Sequence, residues 1–238
     1  MTDPPLGPPP SLPAAADAST TPGELAVRDD RSARVDALIS LLLRYPDPAL
    51  VEDRDAVMDA AAALPASAQR TALLAFLDYW SRTPLAALAQ DYVATFDLQK
   101  RCGLYLSYYL YGDKRQRGVA FLRLKRLYAA AGWELATREL PDYLPLMLEF
   151  AASGPAGHGE LLLQEFRPGL ELLRRALHDL ASPYAHLLDA IVLGLPRLTR
   201  GQQELVERLA ADGPPSELVG IEPFAPPEVM PPIGGRRG

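Results

Sequence analysis

Two carboxylates seven residues apart, Asp142 and Glu149 in ELPDYLPLMLEF, are a pair whose types and spacing could do chemistry. If Pro141 opens a helix, Asp142 stands in its first turn, where the dipole favours a carboxylate. Pro145 then interrupts one backbone hydrogen bond, and Glu149 falls on the same face as Asp142. Such a pair could divide acid and base work as a hydrolase, which would require measurable turnover, yet no histidine or metal cluster accompanies it. The alternatives are solvated or salt-bridged surface acids, or acceptors for a partner's Arg or Lys.

The remaining inventory gives no catalytic or metal set. His158, His178 and His186 are the only histidines, and they lack the i, i+4 spacing of a metal-binding helix, so they read as solvated or structural. SGPAGHG, residues 153–159, follows a helix rather than a strand and lacks the lysine of a phosphate-binding loop, which leaves an inter-helix loop. Cys102 is the only cysteine; it excludes an internal disulfide or a cysteine-built zinc or iron–sulfur site within one chain, and reads as a buried structural thiol. No catalytic residue, metal or bound cofactor is expected, and the chain is not read as an enzyme.

Aromatics and cations are the other chemistry-bearing group. In YVATFDLQKRCGLYLSYYLYGDKRQRG, residues 92–118, tyrosines precede a basic cluster in a chain of net charge −6. Taken as one helix over 98–111, Leu98, Cys102, Tyr105 and Tyr109 form one stripe and Leu104, Tyr108 and Tyr111 a second, which suits a core helix or one that lines an apolar groove. On a helix over 115–131, Phe121, Leu124, Tyr128 and Ala131 share a side. Arg115, Arg123, Lys125 and Arg126 project from the other, together with Val119 and Leu122. A nucleic-acid reader would interleave aromatics with cations on one surface, whereas here the tyrosines belong mainly to the preceding helix. A helical nucleic-acid-binding regulator using residues 100–126 is therefore the second reading.

The elements that must position these residues read as helices. Between about Ser32 and Ala211 leucine far outnumbers valine and isoleucine together, and no strand alternation or fixed-period repeat occurs. Ser32 is a candidate cap for a helix ending before Pro46; Thr83 and Pro84 open another reaching Phe96. Further helices are expected over 50–63, 68–81, 98–111, 115–131, 141–152, 160–180, 183–194 and 200–211, with Gly112, Gly132 and Gly154 near breaks. Of 24 prolines, seven lie in residues 4–22 and seven in 214–232, which predicts disordered tails at 1–31 and 213–238 around one all-α, compact multi-helix domain at 32–212. The acidic balance, pI about 5.2, argues against bulk attraction to nucleic acid or anionic lipid. Neither a signal sequence nor an uncharged membrane-spanning stretch is present, so a cytoplasmic protein without membrane insertion is expected.

Together, YVATFD (92–97), LYLSYY (104–109), GDKRQRG (112–118) and ELPDYLPLMLEFAA (139–152) resemble the respiratory nitrate reductase assembly chaperones, the NarJ family. The similarity runs from LISLLLRYPD (38–47) to SPYAHLLDAIVLGLP (182–196), departing at Cys102-Gly103, at Lys114 and in the tails. The resemblance implies an all-helical chaperone of the molybdoenzyme maturation type that is neither an enzyme nor a subunit of the finished complex. It implies binding to the apo catalytic subunit through that subunit's N-terminal leader-like segment, until molybdenum cofactor and iron–sulfur clusters are inserted and membrane attachment follows. Proteins of molybdenum cofactor biosynthesis are implied as further partners. Within it, Tyr92, Phe96, Tyr105, Tyr108, Tyr109 and Tyr143 become expected client-peptide residues, with Glu139, Asp142 and Glu149 as contacts to basic leader residues.

Overall fold

The computed structural model describes residues 30–112, 114–135 and 139–212. Twelve α-helices make up the described chain: α1 (Asp30–Leu42), α2 (Pro48–Glu52), α3 (Arg54–Ala62), α4 (Ala68–Arg82), α5 (Leu85–Tyr92), α6 (Leu106–Tyr111), α7 (Arg115–Ala130), α8 (Leu144–Ser153), α9 (His158–Glu165), α10 (Arg167–Asp179), α11 (Ala185–Leu193) and α12 (Arg200–Asp212). A π-helical turn, Val93–Asp97, extends α5, and a 3₁₀ turn, Lys100–Cys102, follows it. The all-α expectation holds: no strand occurs among the described residues, and the expected tails lie outside them apart from Asp30 and Arg31, which are already in α1.

Local rules explain many of the helix starts. Asp47 caps α2 by accepting the Leu50 N–H at 2.8 Å, and Ser67 caps α4 by accepting that of Arg70 at 3.1 Å. The apolar positions of α4, Leu73, Phe76, Leu77 and Trp80, repeat at helical spacing and are buried against α11. Val35, Ile39 and Leu42 of α1 face the core, as does Leu43 just after it, and α1 packs chiefly on α8. There the buried Ser40 hydroxyl donates to the Pro145 carbonyl at 2.7 Å, tying α1 to the first turn of α8. At the crossing of α8 and α9, a Cβ on Gly159 would stand 2.2 Å from the Ala151 Cα, so only glycine fits.

An ionic network joins the C-terminal helices. Glu171 of α10, itself buried, meets Arg167, Arg174 and Arg175; Arg174 reaches Asp189 of α11 at 3.0 Å and Arg175 reaches Glu207 of α12 at 2.8 Å. Burial works to raise the Glu171 carboxyl, but Arg174 and the other guanidiniums outweigh it and hold the group below the usual range.

Several expected boundaries are corrected. The helix expected over 98–111 is broken: the chain leaves the 3₁₀ turn at Gly103, and Leu104–Leu106 pairs instead with Asp142–Leu144. Leu144 N–H donates to the Leu104 carbonyl at 2.8 Å and Leu106 N–H to that of Asp142 at 3.1 Å. These backbone groups are thus spent on a partner far along the chain, and the Leu98–Cys102–Tyr105–Tyr109 stripe does not form; Leu98 is 71% exposed and Cys102 buried. For the same reason α8 opens at Leu144, not Pro141. Pro145 occupies its first turn, where a missing N–H interrupts nothing, and Asp142 and Glu149 do not share a helix face. The 160–180 helix divides at Phe166, and 50–63 divides at Asp53. Thr83 closes α4, its hydroxyl donating to the Tyr79 carbonyl, rather than capping α5. Ser32 lies inside α1, which already includes Asp30.

Candidate functional site

The paired segments build the site. In an antiparallel pair, directly opposed residues project to one side, and here they are Tyr105 and Tyr143, with ring centroids 5.4 Å apart. Tyr92 comes from the last turn of α5. The π-helical turn that follows carries Phe96, whose ring centre lies 4.8 Å from that of Tyr92; such turns frequently mark functional positions. The Tyr92 hydroxyl donates to the Leu43 carbonyl at 3.2 Å, and Tyr45, beside Leu43, stands edge-on to the Tyr92 ring at 5.5 Å. Phe96 and Tyr92 rest in turn on the buried Tyr184. The result is a graded aromatic face, anchored in the core at Tyr184 and Phe76 and opening outward to Tyr45, which is 52% exposed.

Acidic groups border this face. Glu139 and Asp97 are exposed, and the Tyr105 hydroxyl donates to Glu139 at 3.3 Å. Glu149, also exposed, takes an ion pair from Arg44 at 2.7 Å. Tyr143 is where these fields meet. Burial raises its hydroxyl pKa and Glu139 and Asp97 add to that, while a hydrogen bond with Tyr92 and the charge of Arg44 oppose it. Burial and Glu139 push Tyr105 up to about 12. Both phenols are neutral at physiological pH and serve as amphipathic contacts rather than acids.

Asp142 lies beneath this face and is fully buried. Its Oδ2 accepts the Ser107 N–H at 3.1 Å and hydroxyl at 2.6 Å, with Arg117 of α7 at 3.9 Å, while Oδ1 has no hydrogen-bond partner among the described residues. Burial raises its pKa against the lowering effects of Ser107 and Arg117. The surface-acid reading of Asp142 is thereby corrected: the carboxylate is spent on fastening α6 and α7 to the Pro141–Tyr143 turn. Tyr128 helps, its hydroxyl donating to the Pro141 carbonyl at 2.9 Å.

Tyr108 and Tyr109 belong elsewhere. They line a cavity of about 200 Å³ formed by the 3₁₀ turn, α6, α10 and α12, together with Lys100, Arg101, Asp179 and Leu209. Tyr109 is buried, its hydroxyl 3.0 and 2.9 Å from the carbonyls of Arg101 and Gly103; Tyr108 is half-buried under the Arg117 guanidinium. Of the nine expected site residues, the structure brings Tyr105, Tyr143, Glu139 and Glu149 together at the surface, buries Tyr92 and Phe96 beneath them as their support, puts Asp142 behind them and sets Tyr108 and Tyr109 apart. Sequence reasoning missed Arg44, Tyr45 and Tyr184, which reach the face by long-range packing, and Asp97, which lies beside Phe96 in the π-helical turn. The i, i+4 spacing of Tyr92 and Phe96 is a local signal, whereas the pairing of Tyr105 with Tyr143 is long-range.

No cluster of His, Cys, Asp and Glu suited to a metal occurs among the described residues, and no described helix is long and apolar enough to cross a membrane. Cys102 is buried, and burial pushes its thiol up to about 11, leaving it a poor nucleophile near neutrality.

Residues 60–190 match the family model described as nitrate reductase delta subunit. A Bacillus subtilis (strain 168) protein described as a nitrate reductase molybdenum cofactor assembly chaperone, NarJ, is 35% identical over 75% of this chain and 95% of its own. The NarJ chaperone of Escherichia coli (strain K12) is 34% identical over 73% of this chain and 74% of its own. A crystal structure from Archaeoglobus fulgidus, described as a redox enzyme maturation protein, superposes with a TM-score of 0.52, covering 67% of this chain and 90% of that one at 22% identity, and so shares the fold. The chain belongs to the nitrate reductase delta subunit family, and the Bacillus and Escherichia relatives are named as assembly chaperones.

Proposed function

We propose that this protein is a cytoplasmic, client-specific chaperone of respiratory nitrate reductase that binds the apo catalytic subunit by its N-terminal leader-like segment. It holds that subunit ready for insertion of molybdenum cofactor and iron–sulfur clusters before membrane attachment. The observation that carries this reading is the gathering of Tyr45, Tyr105 and Tyr143 over the buried Tyr92 and Phe96 into one aromatic face bordered by Asp97, Glu139 and Glu149. An amphipathic helix with basic residues is the complementary partner: its apolar side finds aromatic anchors, and its cations find carboxylates that set orientation and on-rate. The names of the relatives, nitrate reductase molybdenum cofactor assembly chaperones, support the same client.

The experiment is calorimetric titration of the full-length protein with a synthetic peptide of the N-terminal segment of the nitrate reductase catalytic subunit from the same organism. Saturable one-to-one binding that Tyr143→Ala weakens is the expected result. Absence of binding to both the peptide and the intact apo subunit rejects the reading.

A further inference from the structure

Of the three carboxylates around the aromatic face, Glu149 alone is already neutralised. Arg44 Nη2 stands 2.7 Å from its Oε2, whereas Asp97 and Glu139 form no ion pair among the described residues. The two partners come from different helical surroundings, Arg44 from the turn after α1 and Glu149 from the middle of α8. Their side chains are 51% and 47% exposed. Such a pair is weakly held and screened by salt, so a competing cation can replace either member at little cost.

The backbone around Arg44 is held by its neighbours, while its side chain is half exposed. Leu43 before it receives the Tyr92 hydroxyl on its carbonyl, and Tyr45 after it is edge-on to the Tyr92 ring. Only the guanidinium has to swing for Glu149 to be exposed, and the charge of Arg44 is already felt at Tyr143 in the middle of the face. We propose that Arg44 tempers client affinity by occupying, on Glu149, the place that a cationic side chain of the client segment takes on docking, so that binding exchanges one cation for another. This rests on the reading of the aromatic face as the client site. A segment without a correctly placed Arg or Lys meets a carboxylate already filled and gains nothing from it. A segment that has one must displace Arg44 to make its own pair, so its net gain is smaller than on a bare carboxylate.

A double-mutant cycle separates this exchange from simple repulsion between Arg44 and a basic peptide. The synthetic client peptide is titrated into full-length wild type, Arg44→Ala, Glu149→Gln and the double variant, at low and at high salt, with circular dichroism to show that each is folded. Arg44→Ala is expected to bind about two- to fivefold more tightly than wild type at low salt, the gain shrinking as salt rises. Glu149→Gln is expected to bind within about twofold of wild type, because it lacks both pairs, and removing Arg44 in that background to bring no gain. An equal gain in both backgrounds makes Arg44 a through-space repulsive charge and overturns the exchange; so does the absence of any gain in Arg44→Ala. If Tyr143→Ala loses binding while the Arg44 variants are silent, the client reading stands and the exchange alone falls. If wild type does not bind, both fall together.

Discussion

Tyr143 and Tyr109 show how one residue type takes two roles. Tyr143 is half-buried with its ring against Tyr105 and its hydroxyl among Tyr92, Arg44, Asp97 and Glu139, a position from which a ligand can be touched without unpacking the core. Tyr109 is sealed in, its hydroxyl spent on the backbone of Arg101 and Gly103. Truncation is therefore expected to separate binding from stability. Tyr143→Ala should weaken the client peptide by about 1–3 kcal/mol in calorimetry while far-ultraviolet circular dichroism stays unchanged. Tyr109→Ala should lower unfolding stability by about 3–5 kcal/mol in denaturant titration, the cost of an emptied aromatic site. Asp142 gives a test by pH. Its folded-state pKa is raised above that of the unfolded chain by burial, so the folded state holds the proton more tightly. The contribution is complete below the unfolded pKa and is lost as pH rises through the folded one. Glu165, raised to about 7 by burial, and Glu171, held low by its arginines, titrate as well, so the difference between wild type and variant isolates Asp142. Asp142→Asn, which keeps an acceptor for Ser107 and offers a donor at the unpartnered oxygen, should flatten the decline in stability that sets in as pH rises above the unfolded carboxyl range near about pH 4. An identical pH profile in the variant would show that Asp142 does not titrate across folding.

Helix packing sets the second scale. At Gly159 the backbones of α8 and α9 approach so closely that Gly159→Ala places a methyl group against Ala151, and denaturant unfolding should show a loss of about 1–3 kcal/mol. A variant as stable as wild type would mean that the crossing relaxes freely. What was legible in the sequence follows the range of the interaction. Helices α4, α7, α11 and α12 were readable to within about two residues, because their caps and apolar spacing are local. The stretch over 98–111 was not. Its periodicity is helical, but the backbone of Leu104–Leu106 satisfies that of Asp142–Leu144, and nothing within eleven or eighteen residues announces such a partner. That single non-local pairing also moved the start of α8, buried Asp142 and brought Tyr105 beside Tyr143. The misplaced helix ends and the misjudged acid thus share one cause, whereas Tyr92 and Phe96, at i, i+4 spacing, were readable as neighbours from the start.

Charge is distributed unevenly over the whole molecule. The chain carries −6, yet α7, RQRGVAFLRLKRLYAA, contains five cations and no acid. Arg115, Lys125 and Arg126 form no ion pair among the described residues, and Val119 and Leu122 stand exposed between them. Arg117, by contrast, is drawn inward over Tyr108 and Phe121 toward Asp142. The exposed side of α7 thus offers cations without stacking partners, since its own Tyr128 is buried and its Phe121 lies under Arg117. A single-stranded nucleic acid draws affinity from both stacking and phosphate contact, and the phosphate part weakens steeply with salt. The acidic remainder of the molecule opposes that contact further. Replacing Arg115, Lys125 and Arg126 together by Glu should therefore leave client-peptide affinity within about twofold of wild type, because the contacts proposed to hold the peptide are aromatic and acidic rather than cationic. Fluorescence anisotropy with a labelled oligonucleotide, run from low to physiological salt on both proteins, supplies the contrast. Wild type should show no saturable binding at physiological salt. Tight binding that survives there and disappears in the triple variant would instead favour the nucleic-acid-binding regulator.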